Sequence, residues 1–203
     1  YIFKSQSKGL GVVCQSRGGI KSGTFLTNYT GELYPAWLWS IKQEAILSIS
    51  NNGKNIAARS KKSKKLPIDF YNMTFEKSDR EPGGIELLVI DPILYGNFAS
   101  RLSHSCSPNC ITLPYTSNGQ YSVGIFAQKD ILEGEELTFD YCSYTEDKEE
   151  HSSADCLCGD WNCLGKYLHL TSSVFKVYKN GDYYEINKFR GLTYKAIFQI
   201  FLK

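Results

Sequence analysis

Asn97-Phe-Ala-Ser-Arg-Leu-Ser-His104-Ser-Cys106-Ser-Pro108-Asn109-Cys110 puts a histidine, two cysteines and a Pro-Asn turn into fourteen residues that lack a clear helical or strand period. A stretch of that makeup reads as a site rather than as filling for a core. Taken singly its members are bland: His104 reads as a hydrogen-bonded core histidine and Cys106 as a small buried apolar side chain. A second group of sulfurs stands at Cys156-Leu-Cys158-Gly-Asp-Trp-Asn-Cys163. The chain has seven cysteines, an odd number, and such tight clustering suits thiolates around a metal in a reducing compartment better than a secreted disulfide framework. Zinc takes cysteine at such spacing and needs a fourth ligand to complete its tetrahedron.

The elements that must position these residues are short. Residues 1 to 34 alternate apolar runs with glycine turns, among them Lys8-Gly9-Leu10-Gly11, and read as small strands and hairpins. Trp37, Leu38, Ile41, Ala45 and Leu47 recur at helical spacing just after Pro35, which predicts a helix over about 36 to 47. From Ser50 to Lys65 the chain turns basic (Lys54, Arg59, Lys61, Lys62, Lys64, Lys65), a solvated loop whose sharper reading is contact with nucleosomal DNA. Strand character returns at Phe70 to Phe75, Ile85 to Ile90 and Tyr121 to Ala127. Phe189, Leu192, Ala196, Ile197, Ile200 and Phe201 predict an amphipathic helix within Val174 to Lys203. Many short strands with little helix point to an irregular β-rich α+β domain, not a βαβ repeat.

At 203 residues, 42% hydrophobic and 14% aromatic, the chain can bury a core and reads as folded. Its net charge of +2 excludes a global nucleic-acid magnet. No stretch nears the roughly 20 apolar residues that cross a bilayer, so no membrane partner is expected. Opening on Tyr1-Ile2-Phe3, the sequence reads as a piece of a longer chain.

Read together with Gly134-Glu-Glu136-Leu-Thr-Phe139-Asp140-Tyr141, Lys8-Gly9-Leu10-Gly11 and Tyr29-Thr-Gly31-Glu32, the 97 to 110 segment resembles the motif set of SET-domain protein lysine methyltransferases. The family pattern Asn-His-Ser-Cys-x-Pro-Asn-Cys stands here as Ser103 to Cys110, and Glu-Leu-Thr-Phe-Asp-Tyr is matched throughout at 136 to 141. The 156 to 163 cluster is similar to the post-SET motif. Glu32-Leu-Tyr-Pro-Ala-Trp-Leu-Trp39, Phe70-Tyr-Asn72 and Ser143 to Glu150 resemble a plant trithorax-related branch.

The resemblance implies a SET domain over 1 to 145, with the helix and basic loop inserted at about 36 to 68. A post-SET zinc segment would follow over 146 to 170 and a C-terminal helical extension over 171 to 203. It implies a knot-like arrangement in which the chain around 136 to 141 threads the 97 to 110 loop. S-adenosylmethionine would lie against Lys8, Gly9, Leu10 and Gly11, with Ser103 and His104 on its other side. Tyr141 would be the essential residue, Tyr29 would line the lysine channel, and Phe139 would leave room for di- or trimethylation. The zinc ligands would be Cys110, Cys156, Cys158 and Cys163, with Cys142 as the alternative fourth thiolate and with Cys14 and Cys106 left as core thiols. The implied substrate is a histone tail, by the branch resemblance lysine 4 of histone H3, on a nucleosome in the nucleus. The acidic run Glu146, Asp147, Glu149, Glu150 reads as a solvated loop, or more sharply as a guide for a basic tail. One position departs from the family pattern: Ser103 replaces Asn, a shorter side chain with one hydroxyl. That departure supports a rival reading, a catalytically inactive SET-like module that binds histone peptide or chromatin.

Overall fold

Glycine and asparagine turns cut the chain into strands of two to eight residues in a computed structural model. The structure describes residues 1–5, 8–43, 45–46, 71–77, 86–145, 147–170, 175–179, 182–186 and 188–190. The basic loop at 54 to 65, and with it the expected contact with DNA, lies outside these residues.

The first sheet holds four strands: β1 (Ile2–Ser5), β2 (Gly9–Val13), β10 (Glu136–Phe139) and β7 (Ser103–His104), in that spatial order. β10 lies inside it, antiparallel to β2 and parallel to β7, with Thr138 opposite Ser103 and Phe139 opposite His104. Two segments distant in sequence thus become neighbours, as the threaded arrangement requires.

A second sheet runs β3 (Phe25–Asn28), β9 (Gln120–Ala127), β8 (Cys110–Ser117). Asn118 and Gly119 join β8 to β9 with φ of 51° and 74°, the left-handed pair that a two-residue hairpin turn demands. A third sheet runs β4 (Glu32–Pro35), β6 (Glu86–Asp91), β5 (Met73–Lys77). The core between these sheets includes Val12, Met73, Phe75, Val123, Ile125 and Leu137.

Helix α1 covers residues 36–43, within the span the sequence predicts. Lys42 ties it to the third sheet through Asp91 Oδ2 at 2.9 Å, a carboxylate only 2% exposed. Helix α2 (Lys148–Ser153) was not expected. It turns the acidic run to local use: Asp147 is its N-cap, accepting from Glu149 N and Glu150 N, and Glu150 accepts from Thr145 Oγ1 at 2.9 Å.

The C-terminal helix is corrected over its described part. Residues Phe175–Lys179 (β13) and Asp182–Ile186 (β14) pair antiparallel, and Lys188–Arg190 (β15) adds to β11 (Ser143–Thr145) beside β12 (Leu168–Leu170). Register and sequence agree on this: Lys179 faces Asp182, and the sequence between them is Asn-Gly, a dipeptide that strongly favours a hairpin. Residues 191–203 of the expected helix lie outside the described residues. Among the described residues no helix is long and apolar enough to cross a membrane.

Candidate active site

β7 is two residues long because the chain enters and leaves it through turns, and its place is set by side chains. Asn109 does most of this: its Nδ2 donates to Glu136 O at 2.8 Å and its Oδ1 accepts from Thr138 N at 2.9 Å, so one amide satisfies two backbone groups of β10. Past the end of β10, Tyr141 N donates to His104 Nδ1 at 3.2 Å, and the Tyr141 hydroxyl donates to Leu102 O at 2.8 Å. That fixes the His104 tautomer, with the proton on Nε2 facing Cys106 Sγ 3.6 Å away. Asp140 acts on the local chain, accepting from Cys142 N at 2.9 Å.

Beside this junction opens a cleft of about 320 Å³. Lys8, Gly9 and Leu10 border it on one side, Ser103 and His104 of β7 with Tyr141 just past β10 on another, and Asp155, Cys156, Leu157 and Tyr167 from the C-terminal segment. Of the expected donor residues only Gly11 is missing. It is a buried β2 residue, and a Cβ there would come within 2.8 Å of both Glu136 Oε1 and the Phe3 ring, so its small size serves sheet packing.

Phe139, 3% exposed, stacks tilted on Tyr141 at 5.0 Å between ring centroids, and Tyr29, 4% exposed, belongs to the large core cluster against which Tyr141 packs. The Tyr29 hydroxyl donates to the carbonyl of Tyr71, and Tyr71 itself borders the cleft. Sequence reasoning missed Tyr71, Arg101 and Tyr167. Tyr167 packs edge-on to Tyr141 at 6.3 Å, and the Arg101 guanidinium lies 4.5 Å over the Tyr71 ring. It missed Glu136 as well, whose carboxylate accepts from Lys8 Nζ at 2.7 Å and Ser103 Oγ at 2.6 Å.

The sulfur cluster corrects the expected ligand set. Cys106, Cys156, Cys158 and Cys163 bring their Sγ atoms within 4.8 Å of one another. Cys110 is not among them. As the first residue of β8 it alternates inward with Thr112, is 1% exposed, and donates to Asn109 Oδ1. Burial pushes its thiol pKa up to about 12, so at neutral pH it is an uncharged core thiol. Cys142 lies outside the cluster also.

The cluster fits zinc. Zn–S bonds of about 2.3 Å in a tetrahedron separate the sulfurs by roughly 3.8 Å, and Cys106 Sγ and Cys156 Sγ lie 3.8 Å apart. Backbone N–H groups already point at the sulfurs, Leu164 N to Cys106 Sγ and Gly165 N to Cys163 Sγ, each at 3.4 Å, as bound thiolates require.

Several histone-modifying enzymes resemble the chain along most of its length. It is 41% identical over 169 residues to histone-lysine N-methyltransferase ATXR3 of Arabidopsis thaliana, covering 83% of this chain and 7% of that protein. It is 33% identical over 164 residues to mouse histone-lysine N-methyltransferase NSD3, covering 81% of this chain and 9% of that one. A human histone-lysine N-methyltransferase described as H3 lysine-36 specific is 33% identical over 165 residues, 81% of this chain and 5% of its own length. The chain therefore spans less than a tenth of these relatives. A solved structure reported as "Structural basis for the product specificity of histone lysine methyltransferases" superposes with a TM-score of 0.54 at 26% identity, covering 81% of this chain and 54% of that one. The family model described as SET domain matches residues 9–142, which contain the β7–β10 junction and most of the cleft, and the chain belongs to the SET-domain family.

Proposed function

We propose that this chain is an S-adenosylmethionine-dependent protein lysine N-methyltransferase acting on a histone tail. The observation that carries the reading is that Tyr141 borders a cleft of nucleoside size and packs against Phe139 and the core that holds Tyr29. Bound S-adenosylmethionine supplies an electrophilic methyl on a sulfonium. Lys8, Gly9, Leu10, Ser103 and His104 would hold the donor, and Tyr141 would orient the reacting amine. Its hydroxyl donates to Leu102 O, so its oxygen lone pairs are left to accept from an N–H of the incoming amine. Transfer needs a neutral, aligned amine rather than a strong base, and a poorly hydrated aromatic passage lowers a lysine pKa toward that state. Intact Tyr29, Phe139 and Tyr141 favour this reading over an inactive peptide-binding module.

Cys106, Cys156, Cys158 and Cys163 would hold one structural zinc, which fixes the segment bearing Asp155, Leu157 and Tyr167 against the cleft. We place the protein in the nucleus, where relatives named for histones have their substrate. For the target, resemblance to the trithorax-related branch favours lysine 4 of histone H3, and the relative described as H3 lysine-36 specific favours lysine 36. With Phe139 in the aromatic group, di- and trimethylation are the products proposed. Donor turnover on nucleosomes carrying single H3 lysine-to-arginine changes tests both levels. Loss with the lysine 4 change assigns that lysine, loss with the lysine 36 change assigns the other, and no turnover on any nucleosome or histone overturns the enzyme reading.

A further inference from the structure

Glu136 does not border the cleft, yet it holds two residues that do. It is the first residue of β10, the strand between β2 and β7. From there one carboxylate oxygen meets Lys8 Nζ at 2.7 Å, just before β2, and the other meets Ser103 Oγ at 2.6 Å, the first residue of β7. The Glu136 backbone is pinned too, through Asn109 Nδ2 on its carbonyl at 2.8 Å. Ser103 has one hydroxyl hydrogen, and a carboxylate can only accept, so that hydrogen goes to Glu136 and Ser103 offers the cleft lone pairs alone.

The charges around the cleft give this arrangement a consequence. Among the described residues that border it, Lys8 and Arg101 are cations. Asp155 is the anion, and its carboxylate is engaged at 2.6 Å by Lys166. Without Glu136 the cleft would present a positive field to its ligand. The donor of the proposed reaction carries a sulfonium, and the thioether it leaves behind does not.

We propose that Glu136 is a positioning residue that balances the cleft's charge, so that a sulfonium donor binds as well as its neutral thioether product. It acts through Lys8 and Ser103, by fixing the ammonium in an ion pair and turning the serine lone pairs inward. This rests on the reading of the cleft as a donor site.

The test compares dissociation constants for S-adenosylmethionine and S-adenosylhomocysteine, by calorimetry at low and moderate salt, in the parent, Glu136→Gln and Glu136→Gln/Lys8→Met. Glu136→Gln should weaken the sulfonium ligand about tenfold and the thioether by less than about twofold, with the gap narrowing as salt rises. Removing the ammonium in the double variant should restore the parent's ratio, even if both affinities are lower. Equal weakening of the two ligands by Glu136→Gln would mean that the carboxylate only holds the sheet together, and would overturn the proposal. So would a ratio that stays shifted in the double variant. Failure of the parent to bind either ligand would instead remove the donor-site reading itself.

Discussion

On one side of the cleft Ser103 and His104 are strand residues, paired in register with β10 and buried to 6% and 9% exposure. On the other, Asp155, Cys156, Leu157 and Tyr167 belong to a stretch with little regular structure, where a single bridge, Asp155 to Lys166, joins its two limbs. That bridge consists of two hydrogen bonds, Cys156 N to Gly165 O at 2.9 Å and Tyr167 N to Ala154 O at 3.2 Å. The first wall is held by a hydrogen-bond ladder and an apolar core, so it needs no metal. The second lacks the apolar burial that orders a chain against its conformational entropy, and four converging sulfurs stand in that place. A cleft built from two such halves should fail in two separable ways.

Metal removal is the largest of these effects. Chelation, or Cys106→Ser, should empty the zinc site and weaken donor binding by about two orders of magnitude, while far-ultraviolet circular dichroism and most of the sheet signal survive. Cys110→Ser should keep one zinc per chain, because that thiol lies in the core. Metal analysis and donor titration on the two variants decide between the ligand sets, and full zinc content in Cys106→Ser would reverse the assignment. Next in size is Tyr141→Phe, which attacks the ladder side at its chemical end. Turnover should fall about a hundredfold, with donor affinity close to the parent's, since the phenol acts on the reacting centre. Single-turnover rates beside calorimetry separate the two quantities.

The ladder side was also the more legible in sequence, for the same physical reason. Ser103 to Asn109 and Glu136 to Tyr141 depend on side chains that fix backbone across a turn, and such residues leave an aperiodic mark. The second wall was read only by its sulfurs, and Cys106 was confused with Cys110 because both stand in one motif. The separating clue was positional: Cys110 opens an alternating strand and takes its inward face, whereas Cys106 sits in the turn before it. Tyr167 carried no mark, being one aromatic among 14 tyrosines, and Glu136 was marked only as the first residue of its motif, with nothing to show that its carboxylate holds Lys8 and Ser103. The C-terminal strands were lost to a period counted across Phe189, although Asn180-Gly181 carried the stronger signal.

Phe139→Tyr is a smaller perturbation that tests how closely the ladder side shapes the product. Phe139 is 3% exposed and 5.0 Å from Tyr141, so a hydroxyl added there must claim space beside the reacting amine or hold a water in it. The ratio of monomethyl to higher products should rise several-fold, at a stability cost of about 1 kcal/mol for the extra atom. Mass spectrometry of peptide products reads the ratio, and an unchanged series would remove Phe139 from the pocket.

The smallest expected effect lies where the two walls touch. Ser105 Oγ donates to Asp160 Oδ2 at 2.5 Å, and Ser107 Oγ to Asn162 Oδ1 at 2.8 Å, joining the β7 turn to the cysteine stretch without the metal's help. The Ser105 hydroxyl holds the Asp160 carboxyl below the usual carboxylate range, so that oxygen is ionised and a full acceptor at neutral pH. Asp160 is half-exposed and competes with water for the bond, which limits its worth to about 1 kcal/mol or less. Ser105→Ala should therefore raise the donor KM by no more than about fivefold, leave kcat and zinc content unchanged, and speed zinc release to a chelator. If Ser105→Ala instead matched chelation in its loss of donor binding, the second wall would be positioned by this clasp rather than by the sulfurs, and the separation between metal-built and ladder-built halves would fall. Addition of Ser107→Ala sharpens the same point: two independent bonds should give nearly additive increments, whereas a cooperative clasp gives a second loss larger than the first.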